Sequence, residues 1–399
     1  MQDSFSIEGF TFSAVAAGIK IPGSDRLDFG LIVADSPAAA AGVTTTNVVV
    51  AAPVEIARER LRKGTCCAIL ANSGNAKAFT GEKGRADALE LTAEAADLLR
   101  VDPESIIPLS TGVIGTSLPM DRLRSRLTDL VRGRDGSRFL DFARSIMTTD
   151  TRPKTVLLDG KISGGPLRML GTAKGAGMIA PDMATMLAVV LIDHRVEASF
   201  LKECLVEATE ASFNAVTIDG DTSTNDTLLV LAGGLPDAAI VPGDKKDREI
   251  FASMLKQVCM DLARQIVSDG EGATKLVEVR VCGAPDRPAA TRIARTIAES
   301  ALVKTAFYGQ DPNWGRIVAA AGRAGVDFDP RRLALFIGDV LVVSGGAPVN
   351  GDWEQRAAKV MTQQEFSVVL DLNAGQGEAS FLTTDLSEEY VRINAAYRT

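Results

Sequence analysis

Histidine is almost absent: the 399 residues hold one, at His194. That count excludes zinc hydrolases built on several histidines, and it leaves a Ser-His-Asp or Cys-His enzyme nothing but His194 to work with. Cysteine is sparse as well. Cys66, Cys67, Cys204, Cys259 and Cys282 form no CxxC pair, and an odd number in a long chain does not read as a disulfide framework. No basic run interrupts a chain with 43 Lys and Arg against 51 Asp and Glu, so neither nucleic acid nor an anionic membrane is an expected partner. The start, MQDSFSIEGF, lacks the basic and apolar regions of a secretory signal, and the longest strand-type apolar segment, 186–192, is too short to cross a bilayer. A cytoplasmic protein is expected, using no metal and no cofactor.

What is present is an α/β pattern. Short β-branched runs at 30–34, 67–71, 155–158, 186–193, 227–231, 275–281, 334–337 and 366–372 predict strands. Apolar residues at three- and four-residue spacing predict helices over 247–268, 85–100, 199–212 and 291–304. Strands alternating with helices imply mixed sheets in an α/β fold. Two turn-rich joints stand out, the glycine-rich stretch 161–171 and the segment CGAPDRP at 282–288, which predicts a smaller domain over 283–399 after a main domain over 1–282.

One segment has an unusual design. In KGAGMIAPDMATML (174–187), two glycines and a proline make a loop, and Thr185 then opens an apolar strand without a polar spacer. A β-branched residue entering a core strand needs no further role. A threonine can, however, act without histidine if the peptide bond before it is cut. The freed α-amine, with an ordinary pKa of about 7.7–8.0, then takes the hydroxyl proton.

This segment is similar to the self-cleavage site of the ornithine acetyltransferase family, also called glutamate N-acetyltransferases. The resemblance extends through ANSGNAKAFTG (71–81), STGVIG (110–115), IMTTDT (146–151), FNAVTIDGDTSTNDT (213–227), SDGEGATK (268–275), GQDPNWGRI (309–317) and RINAAYRT (392–399). Asp182, where the family pattern has asparagine, and Arg152, where an apolar residue is common, depart from it.

The resemblance implies a fold of stacked mixed sheets between helical layers, with a smaller C-terminal α/β domain. It implies cleavage between Ala184 and Thr185 into an α chain, 1–184, and a β chain, 185–399, which associate as a dimer of α/β heterodimers. It further implies that Thr185 takes the acetyl group of N-acetylornithine as an ester and passes it to glutamate, a ping-pong sequence. Thr111 and Gly112 match the family's oxyanion hole, where losing one donor costs about 10²–10³ in rate. Thr151, Lys174, Glu271, Asn394 and Thr399 match its substrate-binding residues, Lys174 as a point charge for a carboxylate and Glu271 as a partner for an ornithine ammonium group.

Each has a plainer reading. Most lysines are solvated, the glycines around Glu271 suit a helix-ending turn, and chain termini commonly fray. Asp219, Asp221 and Asp226 do not follow the calcium-loop spacing and read as a hydrogen-bonded polar loop. His194 reads as structural. The family contains both bifunctional and single-function members, and the lack of GxGxxG or Walker A patterns does not decide whether acetyl-CoA also donates. Two other functions compete: a self-processing threonine aminopeptidase or amidase of the same fold, and a catalytically silent binding protein.

Overall fold

The computed structural model describes residues 5–180, 186–233, 240–241 and 244–396. Two compact units divide the chain, one made of 1–214 and 221–266, the other of 215–220 and 267–398.

The first unit begins with β1 (Phe10–Val15), β2 (Phe29–Thr44), α1 (Ala52–Leu61), β3 (Thr65–Asn72), α2 (Gly81–Leu99) and β4 (Ile106–Ser110). It continues with α3 (Met120–Arg132), α4 (Phe139–Ser145), β5 (Lys154–Ile162), β6 (Gly165–Lys174), β7 (Leu187–Ile192) and the short β8 (Arg195–Val196). Then come α5 (Ala198–Glu210), β9 (Thr227–Ala232), the short β10 (Ile240–Val241) and α6 (Lys245–Ser268). Eight of these strands form one mixed sheet, in the order β4-β3-β2-β9-β7-β6-β5 with β1 paired to β2.

Helices cover both faces of this sheet, because neighbouring strand residues point to opposite sides. Leu170 joins a buried cluster with Phe139 and Phe142 of α4. Its neighbour Gly171 faces the other way, where a Cβ would come within 2.9 Å of Val258 and Leu262 of α6. At Gly160 a Cβ would meet Met254 Sδ at 2.3 Å. The glycines of 161–171 therefore mark no joint; this stretch is the β5–β6 hairpin, and glycine at 160 and 171 lets α6 lie close on the sheet. β7, central in the sheet, has all six residues buried. Burial also pushes the Cys66 thiol up to about 12, and all five cysteines are free.

The second unit contains β11 (Leu276–Ala284), α7 (Arg287–Ala298), α8 (Ala301–Tyr308), α9 (Trp314–Gly322), β12 (Ala334–Ile337) and β13 (Val340–Ser344). It ends with β14 (Ala347–Pro348), α10 (Trp353–Met361), β15 (Glu365–Asp371), β16 (Gly377–Thr384) and α11 (Glu388–Ala396). Its six strands run in the order β14-β13-β12-β15-β11-β16, with Val277, Val279 and Val281 packed among Ile293, Ile297 and Phe307.

Here the structure corrects one helix. The stretch 291–304 is two helices: Asp286 caps α7 by accepting from Ala289 N at 2.8 Å, and Ser300 turns extended with ψ 112° before α8. The segment 282–288 lies inside this unit, as the passage from β11 into α7, while the contact boundary falls at 266/267 within α6. The α/β fold with mixed sheets stands as read from the sequence. Among the described residues, no helix is long and apolar enough to cross a membrane.

Candidate active site

In the first unit, residues from several of these sequence blocks meet at one end of the sheet. Lys174 ends β6 opposite Leu187, the first residue of β7. Thr185 and Ala184, two and three residues before Leu187, lie outside the described residues, as does Asp182. Lys174 is 8% exposed, and its Nζ donates to Thr111 Oγ1 at 3.2 Å. A threonine hydroxyl has one proton to give and two lone pairs to offer. Accepting from the Lys174 ammonium leaves the Thr111 proton for another acceptor.

Thr111 follows β4, and its N–H donates to Asn72 O at 3.0 Å. Gly112 has φ 129°, and a Cβ there would meet the Gly74 carbonyl carbon at 2.4 Å and Asn75 N at 2.5 Å. Glycine alone fits this close crossing of two loops. Asparagines lock the crossing. Asn72 Nδ2 donates to Asn75 O at 2.9 Å, Asn75 Nδ2 to Thr116 O at 3.1 Å, and Asn225 Nδ2 to Ala76 O at 2.6 Å and Ser110 O at 2.9 Å. Asn225 and the blocks 71–81 and 110–115 are thus stitched together around Thr111 and Gly112.

Asp150 and Lys154 have no solvent exposure at their side chains and pair at 2.5 Å. Asp150 also accepts from Gly175 N at 2.7 Å and from Thr148 N at 2.9 Å. Burial alone would raise its pKa; the cations of Lys154 and Lys174 outweigh that and hold it down at about 2. The carboxylate therefore stays charged, fixes the first amide of the loop after Lys174, and balances that lysine. Sequence reasoning missed Asp150, because nothing in TTDT shows which of its polar residues is buried. Thr151 beside it is exposed, and so is Arg152.

In the second unit Glu271 follows α6 in the turn Asp269–Gly272 and is 9% exposed. Asn394 of α11 donates from Nδ2 to Glu271 Oε2 at 2.7 Å. The helix is docked on the turn: Ser387 Oγ donates to Gly272 O at 2.6 Å, and a Cβ on Gly272 would strike Tyr390 N at 2.4 Å. Tyr390 Oη donates to Asp219 Oδ2 at 3.2 Å. Under this turn, Lys304 Nζ donates to Thr384 O at 2.5 Å and Thr383 Oγ1 at 3.1 Å, and burial pushes its ammonium down to about 7 against the pull of Asp385 and Asp219. Glu271 and Asn394 are thus brought together, and Thr399 lies outside the described residues.

His194 is buried, with Nδ1 2.7 Å from Asp193 Oδ1. Among the described residues, no group of three or more His, Cys, Asp or Glu could hold a metal ion.

Chemically, the first unit's strand ends offer a held cation, a hydroxyl with a free proton and a glycine-only turn, which together suit an acyl group developing negative charge. A family model described as "ArgJ family" matches residues 11–399. The arginine biosynthesis bifunctional protein ArgJ of Geobacter sulfurreducens is 48% identical over 394 residues, covering 99% of this chain and 100% of that protein. The protein of the same description from Desulfotalea psychrophila is 46% identical over 393 residues, 98% and 100% of the two chains. A crystal structure of the arginine biosynthesis bifunctional protein ArgJ from Bacillus halodurans is 38% identical, with a TM-score of 0.50, over 53% of this chain and 100% of that one. The chain belongs to the ArgJ family, and the family resemblance read from the motif blocks is borne out.

Proposed function

We propose that this chain is an acetyltransferase of arginine biosynthesis that moves the acetyl group of N-acetylornithine to glutamate through an ester on Thr185. The observation that carries the reading is the Lys174–Thr111 hydrogen bond, set where β6 pairs with the first residue of β7. Before catalysis, the Thr185 hydroxyl attacks the Ala184 carbonyl, and water resolves the ester to give chains 1–184 and 185–399. The Bacillus halodurans chain, matched in full by 53% of this one, supports that division, since residues 185–399 make 215 of 399.

In the first half-reaction the Thr185 oxygen attacks the acetyl carbonyl while the new α-amine takes its proton. The Thr111 hydroxyl and the Gly112 amide receive the oxyanion. The amide C–N bond breaks, the proton passes to the departing ornithine amine, and acetyl-Thr185 remains. Glutamate's amine then attacks the ester and leaves as N-acetylglutamate. Lys174 takes a substrate carboxylate, and Thr151 is a further pocket residue. Glu271, oriented by Asn394, takes an ammonium group, and Thr399 is a further proposed substrate-binding residue. Because the relatives are named bifunctional, acetyl-CoA is proposed as a second donor. The enzyme works in the cytoplasm as a dimer of α/β heterodimers.

The test is a transfer assay without CoA. N-acetylornithine plus glutamate should give ornithine and N-acetylglutamate, with slow release when water replaces glutamate. Hydrolysis as fast as transfer would identify an amidase instead.

A further inference from the structure

Lys154 has no solvent exposure, and its backbone is fixed by the sheet. It opens β5, pairs with Ala173 of β6, and accepts from Thr172 Oγ1 through its carbonyl at 3.0 Å. Burying an ammonium group is costly, but it does not by itself demand a carboxylate. Lys304 in the second unit, 2% exposed, is held by hydroxyl and carbonyl oxygens of Thr383 and Thr384. Lys154 instead contacts a buried carboxylate, Asp150, at 2.5 Å. Buried ion pairs are often no more stabilising than apolar groups of the same size. A pair placed beside a binding lysine therefore asks for a reason other than stability.

The bonds of Asp150 supply one. Its Oδ1 accepts from Lys154 Nζ and from Gly175 N at 2.7 Å, and its Oδ2 accepts from Thr148 N at 2.9 Å. Gly175 directly follows Lys174, whose charge acts on Asp150 through space. The Lys174 ammonium, however, donates to the neutral hydroxyl of Thr111. One carboxylate thus feels two lysines and is bonded to one of them. If Lys154 were absent, the buried charge of Asp150 would lack its contact partner and be drawn to Lys174, whose neighbouring amide it already holds. A Lys174 bonded to Asp150 would then have little to offer an incoming anion.

We propose that Lys154 is a specificity-determining residue of this site. By holding Asp150 it keeps that carboxylate off Lys174, so that Lys174 answers to a carboxylate on the substrate. The site then favours acylated amino acids over acylated amines of the same length. The inference rests on the reading that Lys174 takes a substrate carboxylate.

The test compares two donors, N-acetylornithine and N-acetylputrescine, the second having a hydrogen where the first has its carboxylate. Both give N-acetylglutamate when glutamate is the acceptor, so one assay reads both. The wild type should prefer N-acetylornithine in kcat/KM. Lys154→Met should cut that preference about 10–100-fold, the loss of one charge-assisted hydrogen bond. Asp150→Asn/Lys154→Met should restore it, because the carboxylate that turns on Lys174 is then gone. A merely structural role would not give this rescue. Melting temperatures report whether each variant folds, and if Lys154→Met does not, the double variant decides, since it should keep the wild-type preference. An unchanged preference in a folded Lys154→Met would overturn the proposal, and so would a preference lost in the double variant. A wild type indifferent to the carboxylate would instead remove the reading of Lys174 itself, and this inference with it.

Discussion

Lys174 Nζ and Thr111 Oγ1 stand 3.2 Å apart although 63 residues separate them in sequence. The contact joins the end of β6 to the residue after β4, from opposite sides of the sheet order. It links a charged side chain to a hydroxyl that can then donate elsewhere, which a solvated loop lysine would not do.

Thr111→Val should therefore keep the fold and lower kcat about 10²–10³-fold, the usual loss for one oxyanion donor. It should also slow the cleavage into two chains. The check is kcat for acetyl transfer and the time course of the two bands. A variant with wild-type kcat would remove Thr111 from the oxyanion hole.

Asp150 sets a pH dependence. Its carboxyl titrates at about 2 in the folded protein against an ordinary 3.8. Between these values the unfolded chain binds more protons, so this contribution, about 2 kcal/mol, is present above pH 4 and is lost as pH falls toward 2. Denaturant unfolding from pH 5 to 2 should show a steeper loss for the wild type than for Asp150→Asn/Lys154→Met. Parallel curves would contradict the assignment. Asp150→Asn alone should cost about 3–5 kcal/mol, because Lys154 is left buried without its counter-charge.

Glu271→Gln keeps an oxygen for Asn394 and removes the charge. If Glu271 receives an ammonium group, the KM for N-acetylornithine should rise about 10–100-fold with little change in melting temperature, as expected for one charge-assisted hydrogen bond. An unchanged KM would leave Glu271 as a cap on the helix-ending turn.

Thr399→Ala tests the last of the proposed pocket residues. The KM for N-acetylornithine should rise if Thr399 lines the substrate, and a variant with unaltered KM would remove Thr399 from the pocket.

The strands were legible because apolar runs bounded by turn residues leave a local trace, and β7 with six buried residues leaves the clearest. The break at Ser300 was not, since apolar spacing continues across it from α7 into α8. The boundary at 266/267 was hidden for a related reason: α6 is one uninterrupted periodic helix there, while the proline and glycine punctuation falls later, at 282–288. The glycine-rich stretch 161–171 read as a joint, whereas Gly171 serves close packing, because the helix it admits lies some ninety residues away. Of the candidate site, Thr111, Gly112, Lys174, Glu271 and Asn394 came from motif resemblance. The asparagine stitching and the Asp150–Lys154 pair depend on which polar groups are buried together, and local sequence does not carry that.

Self-cleavage before Thr185 is the step on which the proposed chemistry depends. N-terminal sequencing of the purified protein tests it most directly. Two bands of about 19 and 23 kDa, scaled from 42.1 kDa, are expected, the larger beginning Thr-Met-Leu-Ala, with Thr185→Ala remaining whole. A wild-type protein that stays a single chain of 399 residues after prolonged incubation would contradict it.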